Sequence, residues 1–311
     1  MDDLPFVFIE RLRQIIPKKH IAVSLKTFST PKNLSVRINT LKINKNTLIE
    51  QLKEKHIRFK EISWCKEALV LNNVTAQDLA LTEFFQQGFL YAQSLSSMLP
   101  ALILNPGPGE NILDFCAAPG SKTTQMAALM KNEGSIVAVE NIRPRFFKLK
   151  SVVSLLGVEN VSCKLTDARW FKSRELFDKI LVDAPCSSEG RFSIHNKKSY
   201  AFWSPRKIKE MSHKQKGILL AASRLLKSGG TLVYSTCTFA PEENEGVIRW
   251  FLKKNEKQFE VKKIDFAGIK TYPAISTWEK REFNPQVQNC LRVLPAENME
   301  GFFITKLERK N

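Results

Sequence analysis

Two cysteines, Cys186 and Cys237, each follow a run of apolar residues at a point where the chain turns. Cys186 lies in DAPCSSEG (183–190) and Cys237 lies in STCTFAPEENE (235–245). A thiolate is a nucleophile that can form a covalent intermediate, provided that its surroundings favour loss of the proton. One such thiol usually suffices, so the second needs an explanation. Cysteine is also among the most buried residue types, and a strand-end cysteine is more often a packing residue than a nucleophile.

A second stretch, LDFCAAPGSKTT (113–124), has the small residues that let a backbone approach a ligand closely. The following helix start offers free N–H groups. Its single glycine favours neither a GxGxxG dinucleotide loop nor a P-loop. The residues of this turn that we expect to contact a cofactor are Cys116, Ala117, Ala118, Pro119, Gly120 and Ser121.

Acidic residues end the next two predicted strands. Glu140 is placed to accept hydrogen bonds from ribose hydroxyls, and Asp167 is placed to meet an adenine amine. Ribose and adenine without a pyrophosphate cradle indicate S-adenosyl-L-methionine. The alternative is that both carboxylates only cap strand ends.

The elements that must position these residues alternate along the chain. The predicted strands cover 111–117, 135–140, 161–167, 177–184, 231–237 and 301–308, and the predicted helices cover 121–132, 144–157, 213–227 and 242–254. This alternation predicts a doubly wound, mostly parallel α/β sheet of the Rossmann-like type.

The first part of the chain has a different pattern and predicts a small α+β domain. A helix at 4–16 ends before Pro17, a strand covers 35–43, a helix covers 44–56 and a short strand covers 64–71. We therefore divide the chain into an N-terminal domain at 1–87, which we expect to contact RNA, and a catalytic domain at 88–311.

The chain of 311 residues carries a formal charge of +17 and has a pI of about 9.6. Nucleic acid is the partner that such a balance favours, and an anionic membrane surface is second. The stretch 191–216 holds eight Lys or Arg against one Glu. Its aromatic residues, Phe192, Tyr200, Phe202 and Trp203, could stack on the bases of a single strand. The alternative is a solvated loop and helix face.

Six cysteines lie at positions 65, 116, 163, 186, 237 and 290, without Cys-x-x-Cys spacing or a histidine at ligand spacing. We therefore expect no metal site. The start, MDDLPFVFIERLRQ, lacks the features of a signal peptide, and no apolar run approaches the length of a membrane-spanning helix. A cytoplasmic monomer with reduced thiols is the expectation.

Taken together, the motifs resemble the Sun-type (Fmu-type) family of S-adenosyl-L-methionine-dependent RNA cytosine-C5 methyltransferases. The resemblance covers nearly the whole chain and implies a seven-stranded methyltransferase sheet. Besides LDFCAAPGSKTT, its motifs are VDAPCSSEG, YSTCTFAPEENE, SVRINTLK, GFLYAQSLSSMLP and LRVLPAENMEGFFITKLE. Two positions depart from the family pattern, since Ser121 stands where a second glycine is common and Glu140 where Asp is common.

The resemblance implies a role for each cysteine. Cys237 is the expected nucleophile, which adds to C6 of cytosine, and Cys186 is the expected helper in releasing the methylated RNA. Asp183 is expected to contact N3 of the base, and Lys122 to orient it. Without the family pattern, Cys186 would rank first, because DNA cytosine-C5 enzymes carry their nucleophile in a Pro-Cys pair. Lys122, Arg145 and Asp183 complete the expected cofactor contacts.

The function that these motifs predict is formation of 5-methylcytosine in RNA, with rRNA favoured over tRNA. Two alternatives remain at this point: a methyltransferase acting on DNA or on an exocyclic amine, and a non-catalytic RNA-binding or ribosome assembly factor. The second cysteine argues against the first alternative, since amine methylation needs no nucleophile. Within the RINTL segment, Arg37 and Asn39 are expected to brace the domain junction or contact RNA.

Overall fold

The computed structural model describes residues 4–311, so the acidic pair Asp2-Asp3 at the start of the sequence lies outside the described residues. The α-helices within this range are α1 (Phe6–Ile15), α2 (Lys18–Thr27), α3 (Lys45–Glu54), α4 (Ala76–Ala80), α5 (Glu83–Gln86), α6 (Leu95–Leu104), α7 (Ser121–Leu129), α8 (Arg143–Leu155), α9 (Pro205–Arg224) and α10 (Glu245–Asn255). The strands are β1 (Leu34–Ile38), β2 (Phe59–Ile62), β3 (Cys65–Leu71), β4 (Leu90–Ala92), β5 (Asn111–Phe115), β6 (Ser135–Glu140), β7 (Val161–Leu165), β8 (Phe177–Asp183), β9 (Leu226–Thr236), β10 (Phe259–Lys262), β11 (Thr271–Tyr272), β12 (Thr277–Trp278), β13 (Arg281–Glu282), β14 (Leu291–Val293) and β15 (Phe302–Arg309).

The main sheet has the predicted architecture. Five neighbouring strands, in the order β7-β6-β5-β8-β9, are parallel, and β15 then joins β9 in the antiparallel direction. The α/β fold class with a mostly parallel sheet is confirmed. Within residues 4–311, the main sheet contains nine strands, compared with the seven predicted. The difference arises because β11 extends the sheet beyond β14, and β10 pairs with the second half of β15.

The strand register brings the ends of the parallel strands to one edge. Phe115 at the end of β5 pairs with Val139 on one side and Val182 on the other, and Asp183 pairs with Ser235 of β9. Because all these strands run in one direction, the loops that follow them meet at this edge. The turn after β5 and both cysteine loops therefore lie on the same side of the sheet.

The N-terminal region contains an antiparallel sheet in the order β2-β3-β1-β4. Two buried polar residues join it to the main domain. Arg37 donates to Gln93 Oε1 and to Thr124 Oγ1 of α7, each at 2.9 Å, and Asn39 donates to the carbonyl of Leu156 at 2.8 Å. These contacts agree with the first of the two roles expected of Arg37 and Asn39, bracing the junction. The domain division at residue 87 stays a prediction, and β4 of the small sheet follows it in the chain.

The helices α1 and α2 pack against the second half of the chain. Phe8 of α1 lies 4.8 Å from Phe192 and 5.8 Å from Trp203, measured between ring centroids. Phe28, directly after α2, lies 6.2 Å from Phe239. This aromatic cluster fastens the N-terminal helices to the loops that carry the cysteines.

Three of the four aromatic residues of 191–216 that could stack on bases pack inside the protein instead. Phe192 is fully buried, Tyr200 and Trp203 pack against the same cluster, and only Phe202 is exposed, at 87%. Their apolar rings find a partner in Phe8, which is distant in sequence, so burial is favoured over exposure to solvent.

Several elements escaped the sequence prediction. Helix α2 and strand β2 were not predicted, and α9 begins at Pro205 instead of at 213. The early start of α9 has a local cause, since Ser204 Oγ accepts the N–H of Lys207 at 3.1 Å and Pro205 occupies the first helical position. Within residues 4–311, no helix has both the length and the apolar character needed to cross a bilayer.

Candidate active site

The two cysteine thiols meet at the edge of the main sheet. The sulfurs of Cys186 and Cys237 lie 3.3 Å apart, and the Ser188 hydroxyl lies 3.6 Å from Cys237 Sγ. Both cysteines line a cavity of about 420 Å³. Adjacent strands place them there, since Cys186 comes after β8 and Cys237 directly after β9.

The two thiols differ in acidity. The hydrogen bond from Cys186 lowers the pKa of Cys237, and the positive charge of Arg191 acts in the same direction, while burial opposes both. The same hydrogen bond, together with burial, raises the pKa of Cys186. The pair therefore favours a thiolate on Cys237, which accepts a hydrogen bond from the thiol of Cys186. This is the polarity expected if Cys237 is the nucleophile.

Two buried carboxyl groups hold the cysteine loops together. Glu243 accepts the N–H of Ser187 at 3.0 Å and also bonds its hydroxyl, and Glu189 accepts the Thr238 hydroxyl at 2.9 Å. Burial raises the pKa of Glu243 to about 8, so this group retains its proton near neutral pH. Each carboxyl group belongs to one cysteine loop and bonds the other, which keeps the sulfurs in contact.

Gly190 allows a third connection between the loops. Its N–H donates to the carbonyl of Cys237 at 2.9 Å. A Cβ at this position would lie 2.2 Å from the carbonyl oxygen of Gly301 and 3.1 Å from that of Cys237. Any larger residue would separate the loops, so glycine is required here by the close backbone approach.

Asp183 faces the same cavity and is held by two donors. Lys122 Nζ lies 2.7 Å from Asp183 Oδ2, and the Ser235 hydroxyl donates to Oδ1 at 2.7 Å. Lys122 also donates to Ser97 Oγ at 2.7 Å, and its side chain is only 8% exposed. An ammonium, a carboxylate and two thiols therefore share one site.

The turn after β5 forms another wall of this cavity. Most of the predicted site residues line it, namely Cys116, Ala117, Ala118, Pro119, Ser121, Lys122, Arg145, Asp183, Cys186 and Cys237. Arg145 donates to the carbonyl of Ala118 at 2.6 Å and thereby fixes the turn against α8. Burial raises the pKa of Cys116, which makes it a poor nucleophile.

Glu140 and Asp167 line a smaller, adjacent cavity that shares Cys116 and Arg145 with the first. Glu140 Oε1 accepts the N–H groups of Asn141 and Ile142 at 3.0 and 2.9 Å, while its buried Oε2 forms no hydrogen bond and lies 3.4 Å from Arg145 Nη1 in an ion pair. A buried carboxylate oxygen of this kind is available to a ligand hydroxyl. Asp167 is bound by Arg169, which lowers the pKa of the carboxyl.

Gly120 lies apart from both cavities. It has a φ of 107°, and an added Cβ would lie 3.1 Å from Leu149 and 3.3 Å from Val152 of α8. Its backbone conformation and its packing under α8 account for glycine here. A cofactor contact by Gly120, like the individual roles of the other site residues, stays a prediction.

Sequence reasoning missed several residues of the site. Asp114, Ser97, Ser188, Arg191 and Glu300 all line the larger cavity. Asp114 carried a usable signal, because it is an acidic residue within the buried strand β5. Burial raises its pKa to about 7, and its Oδ1 has no hydrogen-bond partner. For residues 4–311, no group of three or more His, Cys, Asp or Glu side chains could hold a metal ion.

Comparison with known proteins places this geometry in a family. Residues 101–308 match the family described as 16S rRNA methyltransferase RsmB/F, and residues 4–95 match the N-terminal domain of 16S rRNA methyltransferase RsmF. The chain belongs to the RsmB/F methyltransferase family. This confirms the family predicted from the motifs and implies S-adenosyl-L-methionine as the cofactor.

Individual relatives support the assignment over most of the chain. The chain is 39% identical over 285 residues to a tRNA (cytosine(49)-C(5))-methyltransferase of Pyrococcus abyssi, covering 90% of this chain and 89% of that protein. It is 35% identical over 320 residues to ribosomal RNA small subunit methyltransferase F of Pectobacterium atrosepticum, covering 98% of this chain and 63% of that protein. The chain thus spans less than two thirds of the methyltransferase F relative.

A solved structure shows the same fold. The crystal structure of a methyltransferase homolog from Pyrococcus horikoshii superposes with a TM-score of 0.80 at 32% identity, covering 99% of this chain and 100% of that one. The arrangement of the small sheet and the main sheet is therefore shared by the two proteins.

Proposed function

We propose that this protein is an S-adenosyl-L-methionine-dependent methyltransferase that forms 5-methylcytosine in RNA. The observation that carries the proposal is the pair of thiols 3.3 Å apart, in a cavity that also holds Asp183 and Lys122. Methylation of an exocyclic amine needs no nucleophile, whereas C5 of cytosine must be activated by addition at C6. A relative that had lost catalytic activity would not be expected to retain both thiols together with Asp183 and Lys122.

The residues around the two cavities fit the cofactor. Glu140 would bind the ribose through Oε2, which forms no hydrogen bond within the protein, Asp167 would lie near the adenine, and the turn at 116–121 would line the rest. When bound, S-adenosyl-L-methionine supplies an electrophilic methyl group on a sulfonium sulfur.

In the proposed mechanism, the Cys237 thiolate adds to C6 of cytosine and breaks the 5,6 double bond. The electron pair moves toward C5 and the N3 side of the ring, and C5 becomes the nucleophile that receives the methyl group. A base then removes the proton from C5, the double bond re-forms and the thiolate leaves. Cys237 thus ends the cycle as it began.

Asp183 and Lys122 would manage the proton at N3. Both N3 of cytosine and the Asp183 carboxylate are hydrogen-bond acceptors, so a proton must lie between them for a contact to be favourable. Lys122 Nζ, 2.7 Å from Asp183 Oδ2, is a donor within reach. A proton passed from Lys122 through Asp183 to N3 would stabilise the adduct, and it returns when the thiolate leaves.

Cys186 would assist the last step. As a thiol beside Cys237, it donates a hydrogen bond to the sulfur that must depart, which makes that sulfur a better leaving group. This position agrees with the helper role that the family resemblance implies.

We propose rRNA as the substrate, because both matched family descriptions name 16S rRNA methyltransferases. A tRNA substrate is the second candidate, favoured by the 39% identity to the Pyrococcus abyssi tRNA enzyme and by the 89% of its length that is covered. In either RNA the target base must leave its stack to reach a cavity inside the protein. The charge of +17 supports binding to RNA phosphates.

The test is to incubate the protein with cofactor, using total RNA, tRNA and small ribosomal subunits that lack 5-methylcytosine. The product is mapped at single-base resolution, with Cys237→Ala as the matched inactive control. New 5-methylcytosine at a defined rRNA position supports the proposal, and a tRNA position supports the second candidate. If no RNA gains 5-methylcytosine, the proposed function is wrong.

A further inference from the structure

A second groove opens beside the catalytic cavity, on the side of the N-terminal sheet. It has a volume of about 710 Å³ and shares four wall residues with the catalytic cavity. The shared residues are Ala92, Gln93, Ser94 and Glu300. The two spaces therefore adjoin, and we call this second one the flanking groove.

Polar side chains suited to a nucleotide line the flanking groove. Lys32 supplies a cation, and three asparagine carboxamides come from segments distant from one another in sequence, namely Asn33, Asn73 and Asn298. The buried Oδ1 of Asn298 has no hydrogen-bond partner. Carboxamides offer a donor and an acceptor together, which matches the edges of unpaired bases.

The boundary between the two cavities is organised by charge. Glu300 lies 3.8 Å from Arg191 Nε on the catalytic side, and its other oxygen accepts from Ser94 Oγ at 3.3 Å. Burial lowers the pKa of Lys32. The negative charge of Glu300 opposes this shift, and the positive charge of Arg191 adds to it. Two cations against one carboxylate leave a net positive charge where a phosphate would pass between the cavities.

We propose that the flanking groove binds the nucleotide next to the target cytosine, with Lys32 on its phosphate and Asn298 and Asn73 on its base edge. The inference rests on the proposed function, since it concerns the same RNA. A cytosine inserted into the catalytic cavity leaves its chain neighbour at the shared wall, and the flanking groove is the polar space that continues from it. Direct reading of that neighbour would make these residues determinants of sequence specificity.

The first test uses Lys32→Ala on the RNA identified by the mapping experiment. A lost phosphate contact should raise KM several-fold and leave kcat unchanged. The slope of log kcat/KM against log salt concentration should also become less negative by about 0.7, which is the contribution of one phosphate contact with a single strand. Lys32→Arg should restore both values. The control is Lys257→Ala, which alters an exposed lysine beside β10 and should change neither value.

The second test replaces the nucleotides on either side of the target cytosine by each other base, in turn. Wild-type protein should prefer one neighbour on one side, and Asn298→Ala should reduce that preference about tenfold while it keeps the activity on the poorest neighbour. Asn46→Ala, which alters an exposed carboxamide on α3 outside the groove, is the control and should retain the preference.

Results that would overturn the inference differ from those that overturn the proposed function. If 5-methylcytosine forms but Lys32→Ala and Asn298→Ala behave as wild type, the flanking groove serves another ligand and the inference is wrong. If no RNA is methylated, the proposed function has failed. The affinity for a fluorescein-labelled single-stranded ribo-oligonucleotide with a central cytosine then tests whether the flanking groove binds RNA. Equal affinities of wild type and Lys32→Ala would refute the inference.

Discussion

The contact between the two thiols makes a prediction that is independent of RNA: removing Cys186 should make Cys237 less reactive near neutral pH. In the structure, the hydrogen bond from Cys186 is the largest influence that lowers the pKa of Cys237. In Cys186→Ala that donor is gone and burial of Cys237 remains, so the pKa of Cys237 rises.

The size of the effect follows from the strength of the bond. A hydrogen bond to a charged group contributes about 1.5 kcal/mol at the lower end of its range, which suits a weak S–H donor. This corresponds to an about tenfold smaller thiolate population at a pH below the pKa. A more basic thiolate is also a better nucleophile, and with a Brønsted slope of about 0.45 this recovers about threefold. The expected net change is an about threefold slower reaction, which reverses to a faster reaction at high pH.

The assay is the rate of reaction with an aromatic disulfide reagent across a pH series, with the Cys237 peptide quantified by mass spectrometry. Cys186→Ser retains a donor and should keep most of the wild-type rate, whereas Cys163→Ala, a partly buried cysteine that lines neither site cavity, should have no effect. The reasoning is refuted if Cys237 reacts equally fast in Cys186→Ala at every pH, or if Cys186 is the thiol that wild-type protein modifies first.

Three further predictions concern the reaction, the cofactor and stability. Cys237→Ala should abolish turnover without trapping RNA, while Cys186→Ala should accumulate a covalent protein–RNA adduct on a denaturing gel; the reverse pattern would exchange the two roles. Glu140→Ala should weaken cofactor binding by calorimetry at least tenfold, because a charge-assisted hydrogen bond to the ribose is lost, and unchanged affinity would remove Glu140 from the site. Arg292→Met should lower the free energy of unfolding by about 3–5 kcal/mol in urea titrations, because it leaves the fully buried Glu245 carboxylate, 2.6 Å away in the native protein, without its partner. The double variant Arg292→Met with Glu245→Gln should lose less free energy of unfolding than Arg292→Met alone. An equal loss in the two variants would contradict the role of the unpaired carboxylate.

Much of the main domain could be predicted because its signals are local. Apolar runs of strand length alternate with helical periodicity from residue 111 onward, and each run is closed by a turn or an acidic residue. The elements that were missed lack such signals. The two residues of β11 are too few to show a period, and they become a strand only because β14 lies beside them.

The aromatic residues at 192–203 have a clear sequence pattern, but the pattern does not show whether their rings are exposed or buried. Their sequence pattern is equally suitable for stacking on bases and for packing in a core. Phe8, more than 180 residues away in the chain, decides between these outcomes by covering Phe192 and Trp203. No local pattern contains that information, because the burial depends on where α1 docks.

The predicted strands alone place both cysteines at one edge of the sheet, together with the turn after β5. The carboxyl ends of parallel strands share an edge whatever the order of the strands, so this conclusion needs only their direction. Contact between the two sulfurs depends on the folded chain, since it requires β8 and β9 to be neighbours with Asp183 paired to Ser235. The folded chain also brings Cys186 and Arg191, which are distant from Cys237 in sequence, beside the Cys237 thiol, where both lower its pKa.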